Sequence, residues 1–154
     1  MMEEIQYIGE HLWPGRIGQA AVFIAFSAAV LSSIAYFFAT QKRENLELAH
    51  SWRKIGRIGY GIHGLAVFTI IGTLFYIMIN NYYEYQYVQA HVNDDLAFRY
   101  IFSAFWEGQE GSFLLWMFWH VILGGLLILS AKKWESPVMA VVASVEIIIC
   151  LLYT

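Results

Sequence analysis

Four stretches of this chain stay apolar for longer than a helix in a soluble core needs: about 17–40, 58–79, 112–129 and 138–153. At about 1.5 Å of rise per residue, runs of roughly 16 to 24 residues cover most or all of a ~30 Å hydrocarbon layer. Inside a bilayer the backbone finds no water to bond, so each run has to satisfy its own N–H and C=O groups as a helix. Composition agrees, with 59% hydrophobic and 18% aromatic residues against 14% charged. The 154 residues therefore read as all-α and integral to a membrane, a single domain of about four transmembrane helices with a short interfacial helix in an external loop.

Charge sets the expected orientation. Residues 41–57 hold Lys42, Arg43, Arg53, Lys54 and Arg57 against Glu44 and Glu47, a net +3, and are predicted to be a cytoplasmic loop. Residues 80–110 hold Glu84, Asp94, Asp95, Glu107 and Glu110 against Arg99, a net −4, and are predicted to face outward. The chain returns inward to Lys132 and Lys133 before Pro137 opens the fourth run, which places both termini outside. Met1–Trp13 carries Glu3, Glu4 and Glu10 with no basic residue, unlike a secretory signal peptide, so the first apolar run is expected to be retained. The formal net charge of −3, with its basic residues in short flanking patches, argues for a lipid bilayer and against nucleic acid as a partner. The one cysteine, Cys150, offers no disulfide, no C-x-x-C pair and no cysteine metal site, so thiol chemistry has to come from a partner.

Two small-residue patterns predict helix packing. Ala21, Ala25, Ala29 and Ser33 recur every four residues in the first run, and Gly56, Gly64 and Gly72 every eight in the second, the latter read as a groove along one face. In the outer loop, Asn93, Asp94 and Asp95 offer an N-cap and first-turn acids to a surface helix over 96–106, and the Tyr82–Tyr87 run reads as interfacial anchoring.

The stretch Phe105–Trp119, FWEGQEGSFLLWMFW, carries the most specific pattern. Gly108 and Gly111 permit a tight turn or a close approach, and Ser112 can cap the helix that follows. The free N–H groups and positive dipole end of that helix can receive an anion, with Trp106, Trp116 and Trp119 around it. On spacing alone this is either a capped helix with an aromatic belt or a functional surface. Trp106, Gly108, Glu110, Gly111, Ser112, Leu114, Leu115 and Trp116 resemble the W-x-G-x-E-G-S-x-L-L-W signature near the N-terminus of CcmF-type cytochrome c haem lyases, in the haem-handling CcmF/CcmC/CcsA superfamily. The resemblance covers about residues 15–129 and departs from the family at Gln109, where many relatives have His.

The resemblance implies a bacterial inner-membrane protein of cytochrome c assembly. It further implies that haem is presented to apocytochrome c, so that its vinyl groups form thioethers with C-x-x-C-H cysteines. The implied partners are a haem carrier, apocytochrome c and other cytochrome c assembly membrane proteins or the downstream part of the same protein. The family's tryptophan-rich haem-binding motif lies beyond residue 154, and the last run stops while still apolar. A fragment or a split gene product is therefore expected, a fourth helix ending at the outer face being the other reading.

Three ionisable residues fall within the apolar runs, where they are costly and so are functional candidates: His63, His120 and Glu146. Helical rise puts His120 and Glu146 near mid-membrane, as a neutral hydrogen-bonded pair or as a site for proton or haem handling, and puts His63 nearer the cytoplasmic side. The two histidines are expected to differ in depth by ~7 Å, which disfavours their ligating one iron between the second and third runs, and the family's transmembrane haem histidines lie in later helices. No nucleophile with its base, metal-ligand cluster or phosphate loop appears, so catalysis by this chain alone is not expected. The alternative class is a structural or b-haem electron-carrying four-helix membrane anchor.

Overall fold

The computed structural model describes residues 11–93 and 97–153, and within them every regular element is a helix. The order is α1 (Leu12–Gln41), α2 (Leu46–Ile79), α3 (Gln86–His91), α4 (Phe98–Glu107), α5 (Gln109–Ser130), a 3-10 turn (Lys132–Trp134) and α6 (Glu135–Tyr153). Four of these, α1, α2, α5 and the turn continuing into α6, are long and apolar enough to cross a membrane. The chain is thus an all-α, multi-pass membrane protein, as its sequence predicts.

Close packing of α1 on α2 forms the centre. Ala21, Ala25, Ala28, Ala29, Ser32, Ala35 and Ala39 are buried on α1. Gly59 of α2 comes so near that a Cβ there would sit 3.2 Å from Ala28 O and Ser32 N. With no hydrophobic drive between helices in lipid, such backbone-to-backbone approach supplies the dispersion contact that holds them. Of the expected ladder the three alanines lie in this seam, whereas Ser33 is half-buried and bonds Ser144 Oγ of α6 at 2.8 Å. The expected glycine groove does not exist. Eight residues rotate a helix by about 80° beyond two turns, so Gly56 backs onto Tyr36, Gly64 onto Val121, and Gly72 meets nothing within 4 Å.

The basic stretch 41–57 is mostly helix. Asn45 caps α2, its side chain accepting from Leu48 N at 3.2 Å, so the helix begins twelve residues before the apolar run does. At 34 residues α2 is roughly 50 Å long and outruns the ~30 Å hydrocarbon core. Arg57 is not a free loop charge: its Nε and Nη2 donate to Glu135 Oε1 and Oε2 at 2.7 Å each. Tyr36 also donates to Glu135 Oε1 at 3.2 Å, so one buried carboxylate ties α1, α2 and α6 together at the basic end.

At the acidic end, α3 is a helix the sequence reading lacked. Asp94 and Asp95, expected as first-turn acids, lie with Leu96 outside the described residues, and α4 starts at Phe98 with Ala97 at its N-cap. Its Ile101, Ala104 and Phe105 are buried, and Phe105 stacks on Phe75 of α2 with ring centroids 4.5 Å apart. Tyrosines of the run read as anchoring also make specific bonds. Tyr85 donates to His11 O at 2.5 Å and accepts from Gly15 N at 3.0 Å, pinning the start of α1. Glu84 Oε1 accepts from His11 N at 2.9 Å. Burial opposes ionisation of Glu84 but is outweighed by the hydrogen bonds from the His11 backbone and ring, which hold its carboxyl below the usual value.

Candidate functional site

Two regions gather the residues singled out from the sequence. The first is the joint between α4 and α5, made by Gly108 alone. Its φ of −75° and ψ of 156° are open to any residue, so glycine is there for space. A Cβ on Gly108 would lie 2.7 Å from the Tyr87 ring and 3.0 Å from His91 Nε2. Gly111 is tighter still, since a Cβ there would overlap the carbonyl oxygen of Phe105 and come 2.8 Å from the Tyr87 hydroxyl. The last turn of α4 can fold back on the first turn of α5 only because both positions lack a side chain.

A helix C-terminus leaves carbonyls without intrahelical partners. Here Tyr87 donates to Phe105 O at 2.5 Å and Ser112 Oγ to Trp106 O at 2.9 Å. Burial, with the Glu110 carboxylate adding to it, pushes the Tyr87 phenol up to about 12, so it remains a donor at physiological pH. Ser112 is therefore not the cap of α5. The N-cap is Gly108, whose carbonyl accepts from Ser112 N at 3.1 Å, and the serine hydroxyl serves the helix before it.

Of the motif residues, Gly108 and Gly111 are buried, Ser112 is half-buried, and Trp106, Glu110 and Trp116 are exposed, with Trp119 beyond them. Glu110 lies in the first turn of α5, where its own carboxylate complements the helix dipole. Sequence reasoning missed Tyr87 and His91, which stack at 4.3 Å against the joint. Their spacing of four residues was the available signal, hidden because α3 was not expected.

The second region is central. Glu146 is fully buried, with His63 Nε2 at 3.4 Å from Oε2 and His120 Nδ1 at 3.5 Å from Oε1. His120 and Glu146 meet as the sequence predicts. The placement of His63 nearer the basic end is corrected, because it joins the same carboxylate. The depth count failed where it took 58 as the membrane edge of a helix that starts at Leu46.

Proton positions follow from the partners. His63 Nδ1 lies 2.9 Å from Ala25 O, which can only accept, so this nitrogen carries a hydrogen and Nε2 is the one turned to Glu146. A protonated Glu146 donating to His63 Nε2, with His120 Nδ1–H directed at Oε1, would join all three without charge. These approaches are longer than ordinary hydrogen bonds, and the facing atoms of all three residues are buried without a partner at bonding distance. Both histidines turn a nitrogen to one carboxylate rather than to opposite sides of an open slot. They do not fit as paired axial ligands of a haem, and none of the main cavities is lined by either.

Compared with known proteins, the chain matches no family model and no solved structure. Over 110 residues, 71% of its length, it is 28% identical to the cytochrome c-type biogenesis protein CcmF of Pseudomonas fluorescens. The match spans 15% of that protein, so the similarity is to one part of a much longer relative.

Proposed function

We propose that this chain works in cytochrome c biogenesis, as the N-terminal membrane part of a haem lyase that presents haem for covalent attachment to apocytochrome c. The observation that carries the reading is the exposed surface of Trp106, Glu110 and Trp116 around a joint that tolerates no side chain at Gly111. The distant likeness to a cytochrome c biogenesis protein supports it. Haem enters as cargo handled with the rest of the assembly, since the two intramembrane histidines, His63 and His120, are turned to Glu146. In this reading the acidic end, with both termini, faces outward from the bacterial inner membrane toward the haem carrier and apocytochrome. The basic end lies in the cytoplasm, and other cytochrome c assembly proteins or a downstream segment complete the site. Deleting the gene and restoring it from a plasmid tests this. Haem-stained c-type cytochromes should disappear and return, and their persistence in the deletion strain would refute the function.

A further inference from the structure

At the basic end a cavity of about 510 Å³ lies between the α1–α2 turn and the start of α6. Three cationic side chains from separate elements line it: Arg43 from the turn, Arg53 from α2 and Lys133 from the 3-10 turn before α6. Among the described residues, none of the three is in an ion pair. The nearby carboxylate of Glu135 is buried and taken by Arg57. Glu47 lines an adjoining cavity with Arg43 and Arg53 without pairing to them. Arg53 is also set in place, its Nε donating to Ser136 Oγ at 3.2 Å so that the rest of the guanidinium fork stays available.

The remaining lining is apolar and interfacial. Leu46 and Pro137 contribute to the wall, and Trp134, 65% exposed, stands at the rim where an indole favours a membrane–water boundary. A free anion needs only the cations. A site that sets three cations over an apolar wall at the ends of membrane-crossing helices matches a ligand with a phosphodiester head and acyl tails.

We propose that this cavity is a headgroup site for an anionic glycerophospholipid, with Arg43, Arg53 and Lys133 taking the phosphodiester and the tails running down beside α1 and α6. The proposal is independent of the role in cytochrome c biogenesis. The test is native mass spectrometry of the full chain in detergent, titrated with phosphatidylglycerol or phosphatidylcholine, and with inorganic phosphate as competitor. Phosphatidylglycerol should be retained at least tenfold better than phosphatidylcholine, a comparison that needs no variant. Arg43→Gln with Lys133→Gln should lower its retention about fivefold per cation removed, roughly 25-fold together, while Lys54→Gln, outside the cavity, should leave it unchanged. Equal retention of the two lipids, or a double variant that binds as wild type, would overturn the proposal. Displacement by millimolar phosphate would overturn it too, by showing a site for the free anion.

Discussion

The α4–α5 joint and the His63–Glu146–His120 cluster are both polar contacts between helices, yet they are finished differently. At the joint the loose carbonyls of α4 are taken by Tyr87 and Ser112 at 2.5 and 2.9 Å, and the two glycines leave no slack. In the cluster four buried side-chain atoms face each other at 3.4–3.5 Å, outside ordinary bonding distance. The joint therefore fixes a shape, holding Trp106, Glu110 and Trp116 in a set relation. The cluster instead brings α2, α5 and α6 together through polar atoms that stop short of bonding distance.

The largest expected effect breaks the joint. Gly111→Leu drives a side chain into the Phe105 carbonyl and should destabilise the chain by about 3 kcal/mol, read as a fall in thermal midpoint in detergent. Because Gly111 is buried, this variant reports on folding and not on the outer surface.

Next comes the cluster. Glu146→Leu leaves His63 Nε2 and His120 Nδ1 facing an apolar group, at a cost of about 2 kcal/mol. Glu146→Gln should cost under ~0.5 kcal/mol, since an amide can donate to one histidine and accept from the other as a neutral carboxylic acid does. Equal losses in the two variants would show that the cluster holds an ion pair. Adding His120→Leu to Glu146→Leu should not restore stability, because His63 remains orphaned; full restoration would reduce the cluster to a pair. A change at the joint smaller than that at Gly111 sharpens the contrast: Tyr87→Phe removes one well-formed bond to Phe105 O and should cost about 1 kcal/mol, with faster hydrogen exchange confined to α4 and the start of α5.

How legible each region was follows from the kind of signal it leaves in sequence. Apolar run length carried the four long helices because a bilayer permits little else. Charge near their ends misplaced the start of α2, since the helix between Leu46 and Arg57 is polar and its cap, Asn45, lies outside the apolar run. His120 and Glu146 were found as a pair because both are ionisable residues in apolar segments. The inclusion of His63 depended on helix register, which depth counted from a wrong edge could not give. Glu135 went unnoticed because it stands beside two lysines at a turn, although its partner is Arg57 across the bundle. At the joint, the motif marked the right residues while spacing gave Ser112 the wrong task, because nothing local says that Gly108 alone separates two helices.

The central claim is that the joint displays a working surface and does more than end one helix and begin another. Glu110 tests it most directly, being exposed at that surface and free of any tight packing. Glu110→Gln removes a first-turn charge whose structural worth is under ~1 kcal/mol, so the amount of this chain in the membrane should stay near normal by immunoblot. Haem-stained cytochrome c from the same cells should then fall several-fold. Normal haem staining, or a loss matched by loss of the protein itself, would contradict the claim.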